Sequence, residues 1–478
     1  MTEVHQELKD LLFDLLGERE AGEFLDQVGQ RPPTTFRINP IKVREGDALN
    51  LLEEEGFRAE PFPSIPYAYL LKEEPFPLGR SLSHFLGYVY IQDLSSMLPP
   101  LVLEPKRGEL VLDLAAAPGS KTTQMVAMMD NQGLIVANDP KVRRTTFLSF
   151  NLSRTGAVNA IVTVLPGNRL GRLYFETFDR VLLDPPCSAL GTVKSSPEVL
   201  RWWRWGRVEK LSRLQRDLVV SAIKALRPGG ILVYSTCTLV PEENEGVVAE
   251  ALERYPVELE EVRIKGIKVR PALREFRGRH FPAEMERAVR IYPHENPGEG
   301  FFIAKLKKVD SMPPPQEELQ LERLPLVKHD HPSLRDQLTS LREHFGLPED
   351  FFEGFLLERA KELRIFTPEA ARLGYLKYSH RGLPIAKAEG LPPTLTTWGA
   401  QFLGRWAKRN VVDLSDPREL SRYLKKEALP IGRDERRDQQ IVLYKGHPVG
   451  YGVIRAGLLE SKAKVRRELL WPFCLSNL

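Results

Sequence analysis

The amino-acid sequence predicts an α/β protein built on a doubly wound parallel sheet, with a small α+β module before it and further α+β modules after it. The 478 residues are 42% apolar and 28% charged, ordinary values for a globular chain that exclude a wholly disordered one. From about residue 108 to 235, short apolar runs alternate with helical segments, which is typical of a parallel sheet. The length favours about three domains.

The first segment predicts one or two amphipathic helices followed by a small α+β module. Five leucines recur there at helical spacing, namely Leu8, Leu11, Leu12, Leu15 and Leu16. Several prolines follow, and the chain then continues in short apolar runs separated by turn residues. The first domain is therefore predicted at residues 1–80.

Five apolar segments predict the strands of the parallel sheet: ELVLDLA, GLIVAND, AIVTVL, FDRVLLD and GGILVYST. A sixth strand, GFFIAKLKK, ends near residue 308, so the central domain is predicted at residues 81–309. The stretch DSMPPPQEELQLERLP predicts a linker into a module that ends near residue 400. In the last module, residues 401–478, QQIVLYKGHPVGYGVIRAG predicts a hairpin or meander with turns at Gly446-His447 and Gly450.

Charge is unevenly distributed along the chain. The net charge is +4, but residues 1–80 hold 9 Lys+Arg against 16 Asp+Glu, and residues 401–478 hold 16 against 9. The basic C-terminal part suggests contact with a polyanion such as nucleic acid. A solvated surface with a chance imbalance is the alternative that charge alone leaves open.

Several classes of protein are disfavoured by what the sequence lacks. No apolar run approaches the ~20 residues of a membrane helix. The start, MTEVHQELKD, is polar and acidic, so we expect no signal peptide. The cysteines are Cys187, Cys237 and Cys474, too few for a disulfide framework and in no zinc-binding spacing. These features predict a protein of the reducing cytoplasm with no membrane or metal partner.

Ligands of doubly wound sheets bind at the carboxyl ends of the strands, so the residues there are the candidates. The first strand ends at Asp113, and a loop of small residues then opens a helix. Small side chains let a ligand approach the backbone. The loop lacks the three spaced glycines of the dinucleotide pattern, and it differs from the phosphate-loop pattern because Ser120 separates Gly119 from Lys121. An ordinary strand–helix turn is the alternative.

The second strand is followed by Asp139, which lies 26 residues after Asp113. An acidic residue about 20 residues on is the expected partner of ribose hydroxyls. Capping of the next helix, which begins near Lys141, is an equally good explanation of this residue alone.

The fourth and fifth strands each end beside a cysteine. Asp184 leads into Pro185-Pro186 and Cys187, a rigid turn that aims its side chains, although such a turn could merely end a strand. Cys237 follows GGILVYST, and a lone cysteine is more often a small buried apolar residue. However, two of the three cysteines lie at the ends of neighbouring strands, which favours a shared site.

The segments LAAAPGSKTT, DPPCSALG and YSTCTLVPEENE together resemble the Nop/Sun family of RNA (cytosine-C5) methyltransferases, which use S-adenosylmethionine. YVYIQDLSSMLPP looks like that family's lead-in, with Asp93 in place of the commoner Glu, and RINP at residues 37–40 looks like its R-x-N motif. The resemblance covers about residues 30–308. The C-terminal part resembles more weakly the RNA-binding modules of the bacterial 16S ribosomal RNA (RsmF) type, and GHPVGYG is similar to their PUA-like ending.

This resemblance implies a Rossmann-like methyltransferase domain between RNA-binding modules, and it implies roles for residues. Cys237 would be the nucleophile, and Cys187 would assist proton removal and product release. Asp184 would recognise the cytosine, and Lys121 would supply positive charge near the thiolate. The residues implied to bind the cofactor are Ala115, Ala116, Ala117, Pro118, Gly119, Ser120, Lys121, Asp139 and Asp184. Cys474 matches no motif.

One position departs from the family. The third strand usually leads to an acidic residue near the adenine, but here Pro166-Gly167-Asn168 follows; Asn168 is the candidate substitute, although it cannot carry charge. The expected substrate is structured RNA, most simply 16S ribosomal RNA. Transfer RNA is the rival substrate, and a catalytically weak RNA-binding assembly factor is the rival function. Methylation of an adenine amino group is disfavoured, because Cys187 stands where those enzymes place an aromatic residue.

The segment RWWRWGR at residues 201–207 interleaves tryptophan and arginine. Such a segment could stack bases and hold phosphates. We favour instead that at least one tryptophan packs against the sheet.

Overall fold

The computed structural model describes residues 5–316, 321–375, 377–431 and 438–464. Cys474 lies outside these ranges. Among the described helices, none is long and apolar enough to cross a membrane.

The first helix, α1 (Gln6–Asp26), is interrupted at Gly17, where φ is 74° and ψ is 164°. The chain therefore forms two helical halves, as the leucine spacing allows. Leu8, Leu11 and Leu12 are fully buried in the core of the central domain. This helix thus packs with the central domain rather than with the α+β module that follows it.

The N-terminal α+β module is a four-stranded antiparallel sheet in the order β2-β3-β1-β4. Its elements are β1 (Thr35–Ile38), α2 (Glu45–Glu54), β2 (Arg58–Pro61), β3 (Ala68–Glu73), α3 (Leu82–Phe85) and β4 (Val89–Ile91). The last strand lies beyond residue 80, so this sheet continues past the predicted first boundary.

The central domain is the doubly wound sheet that the sequence predicts. Its elements are α4 (Leu94–Leu103), β5 (Leu110–Asp113), α5 (Ser120–Met128), β6 (Leu134–Asn138), α6 (Val142–Thr155), β7 (Ala160–Thr163), α7 (Leu170–Leu173), β8 (Phe178–Leu183), α8 (Val199–Trp202), α9 (Trp205–Ala225), β9 (Leu226–Thr236), α10 (Glu245–Arg254), β10 (Val257–Glu260), β11 (Arg270–Pro271), β12 (Glu275–Phe276), β13 (Arg279–His280), β14 (Val289–Ile291) and β15 (Phe301–Lys308).

Strands β5 to β9 correspond to the five predicted strands, and they pair in parallel in the order β9-β8-β5-β6-β7. The sixth predicted strand is β15, which pairs antiparallel with β9. Because all five parallel strands point the same way, their carboxyl ends share one edge of the sheet. The predicted Rossmann-like α/β fold is confirmed.

The C-terminal part forms two five-stranded sheets. Its elements are β16 (Val327–Lys328), α11 (Arg335–Phe345), β17 (Leu356–Arg359), β18 (Glu362–Phe366), β19 (Tyr378–Arg381), β20 (Leu383–Gly390), β21 (Pro393–Leu395), α12 (Thr397–Leu403), β22 (Val411–Leu414), α13 (Pro417–Leu424), β23 (Leu429–Pro430), β24 (Asp438–Tyr444), β25 (His447–Arg455) and β26 (Leu458–Ser461). The sheet orders are β16-β17-β18-β20-β21 and β22-β24-β25-β26-β23. Strand β19 leaves its neighbours and pairs with β7 at the edge of the central sheet.

The predicted hairpin is β24–β25, but its turns differ from the prediction. Lys445 and Gly446 form the connection, with φ of 49° and 80°, which is the left-handed pair that a tight hairpin requires. Gly450 is not in a turn: it lies inside β25, opposite Val442. A Cβ there would stand 2.8 Å from Tyr423 Oη, so close packing explains this glycine.

Two packing results concern segments far apart in sequence. The α+β module and the last module share one hydrophobic core, in which Phe36 and Leu52 join Leu420 and Tyr444. In the tryptophan-rich segment, Trp203 is only 1% exposed, so the expected packing of one tryptophan is confirmed.

Candidate active site

A buried lysine and an aspartate form an ion pair at the carboxyl edge of the central sheet. Lys121 lies in the first turn of α5, and its Nζ is 2.5 Å from Oδ2 of Asp184, which directly follows β8. The same Nζ donates to Ser96 Oγ at 3.0 Å. The other oxygen of Asp184, Oδ1, accepts from Ser235 Oγ at 3.3 Å. Lys121 and Asp184, two of the predicted site residues, are thus in direct contact.

The two predicted cysteines lie beside this pair. Sγ of Cys187 is 3.1 Å from Sγ of Cys237, and both are free, partly exposed thiols. The hydrogen bond with Cys237 raises the pKa of the Cys187 thiol well above its usual range, and burial and the charges of Glu243 and Asp184 add to this shift. Cys187 is therefore a protonated thiol at neutral pH.

The segment after Cys237 holds the two cysteine loops together. Glu243 is fully buried, and its Oε2 accepts from the Ser188 N–H at 2.9 Å and from Gln215 Nε2 at 2.8 Å. Asn244 Oδ1 accepts from Thr236 Oγ1 at 2.6 Å. The loops carrying Cys187 and Cys237 are thereby fixed to the same short segment.

The next residue of this segment anchors it to the sheet. Glu245 forms a two-pronged, fully buried ion pair with Arg290 of β14, at 2.6 and 2.5 Å. Removing one partner of such a pair would leave an uncompensated buried charge, so the anchor is rigid.

The loop of small residues lies between β5 and α5 and has the features of a cofactor cradle. Ala116 and Ala117 are 7% and 5% exposed, and the Ala116 N–H donates to the Asn138 carbonyl at 2.8 Å. Gly119 has φ of 106° and caps α5, where a side chain would collide with Leu148. The loop is thus fixed in place by a backbone hydrogen bond and by packing against α6.

Asp139 follows β6 and is 1% exposed. Its Oδ1 accepts from the Lys141 N–H at 2.9 Å, so the capping explanation holds for one oxygen. The other oxygen, Oδ2, is 3.0 Å from a guanidinium nitrogen of Arg144 without a well-angled hydrogen bond. That oxygen retains acceptor capacity, which fits the ribose hydroxyls of a nucleoside cofactor.

Asp113 ends β5 and is a buried carboxyl bonded to Thr122 Oγ1 at 2.7 Å. Burial raises its pKa to about 7. It links the strand to α5 and so helps to fix the helix that carries Lys121.

The R-x-N and lead-in motifs hold the helices that carry residues of the site. Arg37 is buried and donates to the Gln92 side chain at 2.8 Å, to the Ser120 carbonyl at 3.0 Å and to Thr123 Oγ1 at 2.5 Å. Asp93 caps α4 through the Ser95 N–H at 2.9 Å. The contacts of Arg37 fix the first turn of α5. The cap formed by Asp93 fixes the start of α4, which carries Ser96, the serine that contacts Lys121.

After β7, where the acidic residue is absent, the side chain of Asn168 is exposed. A different asparagine, which the sequence analysis missed, organises this edge. Asn138 is buried, donates to the Leu114 and Leu165 carbonyls, and accepts from Thr163 Oγ1 at 3.0 Å. It ties together the loops after β5, β6 and β7.

The structure therefore brings Lys121, Asp184, Cys187 and Cys237 into one cluster, with the loop 115–120 and Asp139 on neighbouring strand ends. Sequence reasoning missed Asn138, Ser96 and the separate tasks of Glu243 and Glu245. The sequence contains the run PEENE, but only the fold shows which loop each carboxylate of that run holds.

Comparison with known families matches most of the chain to two models. Residues 100–307 match the model described as 16S rRNA methyltransferase RsmB/F. Residues 6–94 match the N-terminal domain of 16S rRNA methyltransferase RsmF.

Three relatives illustrate the range of similar proteins. The chain is 44% identical over 275 residues to the tRNA (cytosine(49)-C(5))-methyltransferase of Pyrococcus abyssi, covering 57% of this chain and 88% of that one. It is 34% identical over 397 residues to ribosomal RNA small subunit methyltransferase F of Shewanella loihica, covering 81% and 80%. The same-named protein of Shewanella baltica is 32% identical over 473 residues, covering 94% and 93%.

Solved structures agree with the fold. A methyltransferase homolog from Pyrococcus horikoshii is 37% identical with a TM-score of 0.58, covering 64% of this chain and 95% of that one. NSun6 from Pyrococcus horikoshii, solved with SFG, is 26% identical with the same TM-score of 0.58, covering 64% and 99%.

Proposed function

The chain belongs to the RsmB/F family of methyltransferases, and on that premise we propose that it methylates carbon 5 of a specific cytosine in 16S ribosomal RNA through a covalent cysteine–cytosine intermediate. The enzyme is an S-adenosylmethionine-dependent RNA (cytosine-C5) methyltransferase. The observation that carries the mechanism is the 3.1 Å separation of two free thiols beside the Lys121–Asp184 pair.

Carbon 5 of cytosine is a weak nucleophile, so the first task is to activate the ring. The thiolate of Cys237 adds to carbon 6, and the ring electrons shift so that carbon 5 becomes nucleophilic. S-adenosylmethionine, when bound, supplies the methyl group that carbon 5 takes up. Asp184 would bond the ring edge, and Lys121, whose ammonium pairs with Asp184, would supply positive charge near the reacting thiolate.

The second task is to release the product. Carbon 5 then carries both a proton and the new methyl group. Cys187, as a thiolate, would take up that proton, after which the carbon 6–sulfur bond breaks and the Cys237 thiolate leaves. Because the Cys187 pKa is raised, the thiol must first lose its own proton, so this release step depends on pH.

The cofactor residues proposed from the motifs fit the structure. Ala115 to Lys121 would surround the methionine part, Asp184 would border it, and Asp139 would accept from the ribose hydroxyls through its unbonded oxygen.

Ribosomal RNA is favoured over transfer RNA by the extent of similarity. The transfer RNA methyltransferase relative aligns with 57% of the chain, whereas a small-subunit relative aligns with 94%. The modules that lie outside the catalytic domain are therefore shared with the ribosomal enzymes.

The first experiment offers labelled S-adenosylmethionine with small subunits, naked 16S ribosomal RNA and transfer RNA, all unmodified, and maps 5-methylcytosine by bisulfite sequencing. Label at one ribosomal cytosine is the expected result. Label only in transfer RNA would contradict the substrate. Absence of both label and cofactor binding would favour the assembly-factor function.

The cysteine roles give a distinct prediction. Cys237→Ala is expected to abolish methylation, because no thiolate can attack carbon 6. Cys187→Ala is expected to accumulate a protein–RNA adduct that survives denaturing gels, because release is blocked. Cys474→Ala, the remaining cysteine, is the matched control. Normal turnover by Cys187→Ala without adduct would show that the assigned roles are wrong.

A further inference from the structure

A basic groove lies at the edge of the central sheet, outside the catalytic cluster. Its volume is about 670 Å³. The charged and titratable side chains that line it come from β18, β19, β20 and the preceding turn, and they are Lys361, Glu362, Arg364, His380, Arg381 and Lys387.

Positive charge in the groove exceeds negative charge. Arg364 is paired with Glu362 at 2.5 Å, and Arg381 is paired with Glu358 at 2.5 Å. The remaining two cations are Lys361 and Lys387, which are exposed. Within the described part of the chain, neither has an ion-pair partner. Two arginines held in fixed orientations and two free lysines suit the oxygen atoms of a polyanion.

The groove also contains a buried ring nitrogen with unused hydrogen-bonding capacity. His380 is 7% exposed, and its Nε2 has no hydrogen-bond partner among the described residues. Burial, together with the charges of Arg364 and Arg381, lowers the His380 pKa to about 3, so the ring is neutral. An unbonded polar atom at such a site is unfavourable unless a ligand completes it.

The groove is tied rigidly to the catalytic domain. Strand β19 pairs with β7, so His380 stands opposite Val162 and Arg381 opposite Ile161. Four strand spacings separate β19 from β8, which leads to Asp184 and Cys187. At about 4.8 Å each, they set β19 about 19 Å from β8 across the sheet. That separation suits a second contact on one structured RNA.

We propose that this groove is a phosphate-binding subsite that holds the backbone of the RNA substrate away from the target cytosine. The proposal rests on the proposed function, because it takes RNA as the substrate. An acidic peptide would meet the same cations. RNA is favoured because β19 belongs to the sheet that carries the RNA-modifying centre.

The decisive experiment compares Lys361→Ala/Lys387→Ala with a control, Lys265→Ala/Lys307→Ala, which removes two exposed lysines of the catalytic domain. RNA affinity is measured against salt concentration with an unmethylated 16S transcript. Each lost phosphate contact removes about 0.7–0.9 from the slope of log affinity against log salt. The groove variant is expected to lose about 1.5 in slope and roughly tenfold in affinity at low salt. Its kcat at saturating RNA should stay within about twofold, because the lysines do not touch the reacting atoms.

A second measurement does not depend on substitution. Lysine acetylation of the wild-type protein, read by mass spectrometry, should be suppressed at Lys361 and Lys387 by RNA and unaffected by polyglutamate. Suppression by polyglutamate alone would assign the groove to an acidic protein partner and overturn the proposal.

The outcomes separate this proposal from the proposed function. If the wild-type enzyme methylates RNA but the groove variant matches its control in slope and affinity, only the groove proposal fails. If the wild-type enzyme methylates no RNA, the proposed function itself is wrong.

Discussion

Glu243 illustrates how one side chain can serve two cysteines without touching the substrate. Its Oε2 holds the N–H of Ser188, the residue after Cys187, at 2.9 Å. The backbone segment that contains it follows Cys237 by six residues. Its charge is also one of the causes that raise the Cys187 pKa. It therefore helps to position the thiol proposed to assist release and adds to the rise of its pKa.

The first residue-scale prediction concerns Glu243→Gln. Glutamine keeps the oxygen that accepts from Ser188 but removes the negative charge, so the Cys187 pKa should fall. The pH profile of adduct release should then shift to lower pH. Quench-flow measurement of adduct decay across the pH range checks this.

The controls for that variant separate charge from shape. Glu242→Gln removes the neighbouring charge, which is not among the causes of the Cys187 shift, and should leave the profile in place. Glu243→Asp keeps the charge and should restore the wild-type profile, even if release is slower. An unshifted profile in Glu243→Gln would mean that the carboxylate acts only as a structural support.

At the scale of elements, a buried carboxyl closes the start of helix α3. Glu55, at the end of α2, is 1% exposed and accepts from the Leu82 N–H at 2.7 Å and from the Ser83 N–H at 3.3 Å. These are free N–H groups of the first helical turn. Burial is the main cause that raises the Glu55 pKa to about 8.

This raised pKa predicts how stability changes with pH. Between its ordinary pKa of 4.5 and about 8, the folded protein keeps the proton that the unfolded chain releases. The free energy of unfolding should therefore fall as pH rises through this window. Glu55→Gln should flatten that decline, with a gain on the order of 1–3 kcal/mol over wild type near pH 8 relative to pH 5.

Urea unfolding at both pH values measures the effect. Glu53→Gln is the matched control, since Glu53 is an exposed carboxylate of the same helix and is not among the causes that raise the Glu55 pKa. A Glu55→Gln variant with the same pH slope as wild type would contradict the assignment of the slope to this group.

At the scale of the whole molecule, Lys42 joins three parts of the chain. Its Nζ donates to the Leu86 carbonyl at 2.5 Å, to the Arg154 carbonyl at 3.0 Å and to the Gln401 side chain at 2.9 Å. The first acceptor lies in the N-terminal module, the second at the end of α6 and the third in α12. Burial, followed by the charges of Arg154 and Arg405, holds the Lys42 pKa well below its usual range.

Lys42→Met is therefore expected to weaken the contact between the modules. It leaves three buried acceptors without their donor, which should cost on the order of 2 kcal/mol. We expect faster proteolysis between the central and C-terminal parts, and a higher KM for RNA with little change in kcat. Lys72→Met, at an exposed lysine paired with Glu60, is the control. Unchanged proteolysis in Lys42→Met would show that the shared core alone holds the modules.

Much of the fold and the site could be predicted, because the patterns responsible are local. Parallel strands buried on both faces appear in a sequence as short apolar runs, and five such runs predict β5 to β9. The cysteines, Asp184 and Lys121 lie within short motifs at strand ends, where the direction of parallel strands brings them together.

The tertiary structure alone decided the features that depend on distant partners. Nothing in the sequence near Tyr378–Arg381 shows that this strand completes the central sheet, because edge pairing depends on what lies beside β7. Gly450 resembled a turn residue, but the nearby Tyr423 hydroxyl explains it. The partners of Glu243, Glu245 and Lys42 lie tens to hundreds of residues away, and only chain folding brings them within bonding distance. The sequence by itself determined the reaction chemistry; tertiary packing decided how its groups are held and charged.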